Sequence, residues 1–132
     1  MEDIVADHSE KILHNKELVS RFFRLIPFGP GNNLHLLDDM VAEDYLQHNP
    51  HAGQGLEGLR EFFTSVMPLP VMKMNGGESL EVRLIAEGDL VVRQDVRSKG
   101  MLIDIFRIED GKLKEHWDAY RPAPGADRPK IF

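Results

Sequence analysis

Apolar side chains recur at three- and four-residue intervals from about Asn15 to Ile26, at Leu18, Val19, Phe22, Phe23, Leu25 and Ile26. This spacing predicts an amphipathic helix behind an Asn15 cap. Pro27 and the run Phe28-Gly29-Pro30-Gly31-Asn32-Asn33 stop it, because proline lacks the amide a helix needs and glycine relaxes the backbone. Leu34, Leu37 and Met40-Val41 predict a short second helix over residues 34–42. Tyr45-Leu46-Gln47-His48 reads as a short extended piece that ends at Asn49-Pro50, since the residue before a proline is pushed out of the helical region. A third helix is predicted over 56–66, where Leu56, Leu59, Phe62, Phe63 and Val66 form one stripe. Met67 to Met74, with two prolines, is a loop.

Beyond it the period falls from 3.6 to 2. Leu80, Val82, Leu84 and Ala86 alternate with polar neighbours, Gly88-Asp89 offers a turn, and Leu90-Val91-Val92 resumes an extended run. Ser98-Lys99-Gly100 marks the next turn, Met101 to Ile108 the next strand, and Glu109-Asp110-Gly111-Lys112 a hairpin before the strand Leu113 to Tyr120. The residues from Arg121 hold three prolines and read as a tail. Helices followed by an antiparallel meander predict an α+β domain, its sheet packed on the helices around a filled core or a pocket.

The chain has 132 residues, enough for one domain. Hydrophobic residues make up 42% and charged residues 29%, the balance of a folded soluble protein. A net charge of -6 with dispersed basic residues argues against nucleic-acid binding. No apolar run reaches a membrane span, and Met1-Glu2-Asp3-Ile4-Val5 has none of the features of a signal peptide, so a cytoplasmic protein without membrane attachment is expected. With no cysteine, thiolate chemistry, disulfides and iron–sulfur clusters are excluded.

The candidate chemistry lies in the last hairpin. A three-residue loop Glu109-Asp110-Gly111 would pair Ile108 with Lys112 and set Asp104 opposite His116. Asp118 shares the face of His116, so the three would form one polar cluster. A strictly two-residue loop would move Asp104 to the other face. Two carboxylates and an imidazole in an enclosed, partly apolar space suit proton abstraction beside a carbonyl. The alternative is a structural ion pair at a solvated sheet edge. His48 sits where an extended segment enters a loop, placed to reach across a pocket mouth or merely to bond loop backbone. His51 is expected to be exposed. Phe106, on the face of Asp104, and Tyr45 are the candidate substrate-binding side chains. No metal is expected, because neither His-x-x-x-His nor Glu-x-x-His spacing occurs. Trp117 reads as a packing or subunit-contact aromatic. The glycines lack phosphate-loop spacing, and no Gly-x-Ser-x-Gly elbow is present.

Tyr45-Leu46-Gln47-His48-Asn49-Pro50, the helix at Leu56-Glu57-Gly58-Leu59-Arg60-Glu61-Phe62-Phe63, and the run from Asp104 to the closing Glu115-His116-Trp117-Asp118 together resemble the SnoaL-like group of polyketide-cyclase-related proteins, within the nuclear transport factor 2-like superfamily. The resemblance spans roughly residues 12 to 122. It implies a cone-shaped α+β half-barrel whose N-terminal helices close a curved antiparallel sheet around a cavity. It also implies a homodimer through the outer face of the sheet, and no cofactor. Enzymes of this superfamily, including polyketide cyclases and ketosteroid isomerase, resemble one another in using a cavity carboxylate as a proton shuttle on an enolisable substrate. Carried over, Asp118 or Asp104 is the base, with His116 and His48 as donors to the enolate. The expected function is cofactor-independent proton transfer, of aldol-cyclase or isomerase type, on an apolar carbonyl compound. The alternatives are a non-enzymatic dimeric binder of a small apolar ligand and, third, epoxide or hydrate chemistry.

Overall fold

The computed structural model describes residues 2–66 and 76–129, with side chains from Ser9 to Ser65 and from Gly76 onward. Helix α1 spans Glu2–Leu25 and is followed by a 3₁₀ turn at Leu34–Leu36, the four-residue α2 at Leu37–Met40, strand β1 at Val41–Gln47 and helix α3 at Gly55–Val66. Strands β2 (Ser79–Glu87), β3 (Leu90–Arg97), β4 (Gly100–Glu109) and β5 (Lys112–Pro122) form the meander. The loop expected at 67–74 lies outside the described residues.

Asn15 does not cap α1. It lies inside the helix and is buried, four residues before Val19, so it occupies the apolar stripe that continues through Phe22, Phe23 and Ile26. The second predicted helix is shorter than 34–42, because the chain turns extended at Val41. The sheet has five strands in the order β1-β5-β4-β3-β2. It is mixed rather than wholly antiparallel, since β1 pairs with β5 in parallel, Val41 opposite Leu113 and Gln47 opposite His116. The longer crossover such a pairing needs is supplied by the rest of the chain between them. The tail begins later than expected, β5 continuing to Pro122.

The sheet is curved and unclosed, and the helices pack on it. Val19, Phe22, Phe23 and Ile26 of α1, Leu56, Leu59 and Phe63 of α3, and Val91, Phe106, Ile108 and Leu113 of the sheet form one core. Phe22 sits at its centre, edge-on to Phe23, Phe63 and Phe106 at 5.4, 6.1 and 5.9 Å between ring centroids. Such pairs add about 0.5–1.5 kcal/mol each to area burial. Gly58 in α3 fixes the approach of the loop after β1: a Cβ there would stand 2.4 Å from the Gly53 carbonyl carbon, so only glycine lets this loop close on the helix. The Gln54 side chain ties the same loop down, accepting from the Gln47 amide at 2.9 Å.

The hairpin between β4 and β5 decides which side chains face the core. Its loop has two residues rather than three, Asp110 and Gly111, both with positive φ (52° and 74°). Glu109 pairs with Lys112 and Ile108 with Leu113, while Arg107 pairs with Glu115. Lys114 is thus an extra residue, a β-bulge. The bulge shifts the pairing by one and restores the parity that the shorter loop alone would have reversed. Asp104 accordingly lies opposite Asp118, not His116, and still shares the face of both.

Candidate functional site

Arg93, Asp104 and Asp118 form one rung across β3, β4 and β5, and the neighbouring rung pairs Phe106 with His116. Gln47, at the end of β1, is the partner of His116. These side chains and Tyr45 floor a cavity of about 70 Å³ whose other walls are apolar, among them Phe22, Leu59, Phe62 and Phe63 from the helices.

The hydrogen bonds place a hydrogen on His116 Nδ1. The Asn49 backbone amide donates to Gln47 Oε1 at 3.0 Å, which sets the orientation of the Gln47 amide. Gln47 Nε2 then donates to Tyr45 Oη at 3.2 Å. Gln47 Oε1 can only accept, so His116 Nδ1, 2.7 Å away, carries a hydrogen and donates. The other ring nitrogen, Nε2, lies 2.8 Å from Asp104 Oδ1. One proton is therefore shared across that contact: either an imidazolium faces a carboxylate, or a neutral imidazole accepts from a carboxylic acid. Asp104 is 4% exposed and its Oδ2 has no hydrogen-bond partner among the described residues. Both ring nitrogens of His116 are committed, so it holds Asp104 in place rather than reaching a bound molecule.

Asp118 is half-buried. Asn49 Nδ2 donates to its Oδ2 at 2.8 Å, and Asn49 is itself oriented by the His51 amide, 2.8 Å from Asn49 Oδ1. Burial raises the Asp118 carboxyl above the usual carboxylate range. The Asn49 hydrogen bond and the charge of His116 oppose that shift, and the Asp104 carboxylate adds to it. Burial likewise pushes the Tyr45 phenol well above its ordinary value, with the charge of Asp104 acting the same way. Tyr45 therefore keeps its hydrogen, and that hydrogen is available to a ligand because Gln47 occupies only the oxygen's acceptor side.

His48 is not in the cavity. Its side chain is 46% exposed on the opposite face, where Nε2 lies 2.7 Å from Glu115 Oε2 and the ring stacks on Trp117 at 5.0 Å. Glu115 also accepts from Arg107 Nε at 2.9 Å, and these two partners hold its carboxyl below the usual range. Strand parity is the cause: Tyr45 and Gln47 face inward, so His48 faces outward. His51 is exposed, as expected. Phe106 is buried against the His116 ring at 4.6 Å. Gln47, Asn49 and Arg93 are site residues that the sequence reading did not single out. The period-two series Tyr45-x-Gln47-x-Asn49 was the available signal for the first two.

Asp104, His116 and Asp118 each offer a ligand atom within 4.8 Å of the others, a spacing at which they could hold a divalent cation. Here Asp104 and His116 bond to each other, and the Arg93 guanidinium on the same rung would repel a cation. No helix among the described residues is long and apolar enough to cross a membrane.

A curved sheet closed by helices over an apolar cavity with a polar floor places the molecule in the nuclear transport factor 2-like class. The model of the SnoaL-like domain matches residues 19–116, and the chain belongs to that family. Among solved structures it is similar to a protein assigned as a polyketide cyclase from Acidithiobacillus ferrooxidans (18% identity, 81% of this chain and 87% of that one, TM-score 0.59). It is also similar to an NTF2-like protein from Anabaena variabilis (18%, 88% and 93%, 0.59) and to an LEH-like epoxide hydrolase from M. tuberculosis (14%, 83% and 84%, 0.58). At these identities the likeness shows the fold. No curated protein matches the sequence.

Proposed function

We propose that this protein is a cofactor-independent enzyme of the aldol-cyclase or isomerase type, which moves a proton at carbon beside a carbonyl group of a small, mostly apolar molecule. The observation that carries the reading is Asp118, a carboxylate raised by burial and aimed by Asn49 into an apolar cavity. A base whose pKa moves toward the working pH is a better proton acceptor from carbon without being wholly protonated. Tyr45 would donate to the carbonyl oxygen on which negative charge develops. The His116–Asp104 couple, with its shared proton and its unpartnered Oδ2, would be the second proton-exchanging group. The test is proton–deuterium exchange by NMR with cyclic and linear ketones and β-diketones in heavy water. Accelerated exchange at the α-carbon is expected; no acceleration across the panel would favour a protein that only binds its ligand.

The outer face of the sheet favours a homodimer. Ile85, Val92, Ile105 and Trp117 form one continuous rung across β2, β3, β4 and β5, with Ile85 60% exposed. An apolar face of this kind can meet a second copy about a two-fold axis, each surface serving as the other's complement. By light scattering after size exclusion, the wild type is expected at twice the monomer mass and Ile105→Glu at the monomer mass. A monomeric wild type would overturn the assembly.

A further inference from the structure

Arg93 is the one permanently charged cation on the cavity floor among the described residues, and the reaction proposed above leaves it unused. The residue is 5% exposed, yet the only hydrogen bond of its side chain among the described residues is a 3.4 Å contact from Nη1 to Asp95 Oδ2. Asp95 is already engaged: Ser79 Oγ donates to its Oδ1 at 2.6 Å and Arg97 Nη1 to its Oδ2 at 2.7 Å. Two guanidinium groups share one buried carboxylate, and Arg93 is the more loosely held. Its guanidinium carbon lies over two aromatic rings, 3.9 Å from the Phe23 ring centroid and 5.2 Å from that of Phe28. Most of the five donors of its fork are left without an acceptor among the described residues. Its rung neighbour Asp104 makes no side-chain hydrogen bond to it, although the Asp104 charge acts on Arg93 and Asp104 Oδ2 has no partner among the described residues.

Arg93 also separates two spaces. One is the cavity; the other is a groove between α1 and β2 lined by Phe23, Arg24, Phe28, Ser79 and Leu84, with no carboxylate among its lining residues. On a chain of net charge -6 the groove side of Arg93, with Arg24 beside it, is locally basic, whereas on the cavity side Arg93 shares the lining with the carboxylates of Asp104 and Asp118. A buried, pre-oriented guanidinium with free edges fits a planar carboxylate through two parallel hydrogen bonds.

We propose that Arg93 is an anion-recognition residue and that the molecule taken up in the cavity is an apolar oxo acid, its carboxylate on Arg93 and its acidic carbon toward Asp118. The second half of this statement rests on the proton-transfer reading; the first does not. Arg93 and Asp118 stand two strand spacings apart on one rung, roughly 9.5 Å between backbones. Their side chains converge on the same small cavity, so the carboxylate and the acidic carbon are separated by few bonds, as in a 3-oxo acid.

The test titrates the protein by ligand-observed NMR with two matched pairs, 3-oxobutanoate and its methyl ester, and 3-oxopentanoate and its methyl ester. Each acid is expected to bind the wild type at least about tenfold more tightly than its ester, a difference of about 1.4 kcal/mol. The preference should fall to near unity in Arg93→Gln and persist in part in Arg93→Lys. Equal affinity of acid and ester for the wild type, or no binding of either, overturns the subsite whether or not Arg93→Gln folds. Exchange at the α-carbon is followed in the same samples. Acid preference without exchange leaves the subsite standing and removes the proton-transfer reading. Equal affinity of acid and ester, with exchange of both accelerated over the protein-free rate and unchanged in Arg93→Gln, does the reverse.

Discussion

Replacing Asp118 by Asn is expected to slow α-carbon exchange by about 10²- to 10⁴-fold, the range by which a positioned acid or base accelerates proton transfer. Stability should move the other way. Because burial raises the Asp118 carboxyl in the folded state, ionising it costs the fold. That cost is absent below the ordinary carboxylate pKa and is incurred as pH rises through the folded value. The amide introduced by Asp118→Asn is neutral, and its oxygen can still accept from Asn49 Nδ2. At pH 7 the variant should therefore melt no lower than the wild type, and any gain should vanish in acid. The wild-type rate should rise with pH along an acidic limb whose midpoint lies above the ordinary aspartate value. In Asp118→Asn that limb should be missing. Full exchange activity in a folded Asp118→Asn would remove Asp118 as the base.

His116→Ala is expected to produce the largest loss of stability of any single change at the site. Among the described residues, Asp104 Oδ1 bonds only to His116 Nε2, and Asp104 Oδ2 has no partner. Without the imidazole a buried carboxylate keeps no hydrogen bond, and breaking a buried pair by removing one member costs about 3–5 kcal/mol. The cost of the vacated ring volume adds to this. Urea denaturation should show the loss directly. Adding Asp104→Asn in the same background removes the stranded charge and should recover a large part of it. If His116→Ala cost no more than an ordinary cavity, the shared-proton contact would not be a buried ion pair.

The fold was legible because its strongest cues are periodic. The stripes Val19–Phe22–Phe23–Ile26 and Leu56–Leu59–Phe63 specify α1 and α3, and the change to period two after Gly77 marks the meander. The site was legible where it depends on strand parity within one strand, as for His116 and Asp118. It failed where parity must be carried between elements. His48 was grouped with Tyr45 although three residues on a strand place them on opposite faces. Arg93 was hidden because β3 inverts the usual rule, turning Val92 and Val96 outward and Arg93, Asp95 and Arg97 inward. The parallel pairing of β1 with β5, which brings Gln47 to His116, joins segments nearly seventy residues apart and has no local signature.

Lys114 contributes no atom to the cavity, yet its place outside the ladder determines which chemistry the cavity contains. If the strands instead ran regularly from the turn, Lys114 would face Arg107 and Trp117 would face Asp104. The floor would then be lined with an indole, and His116 and Asp118 would turn out to the surface. One sequence thus encodes two frames, of which only the bulged one has a site. Deleting Lys114 outright removes the other frame, because Glu115 then follows Leu113 and meets Arg107 with no residue to spare. The quantity this hairpin has to preserve is therefore odd or even, not long or short. A lineage can lose the uncounted lysine and keep the site, or keep every site residue and lose the site by a slip of one.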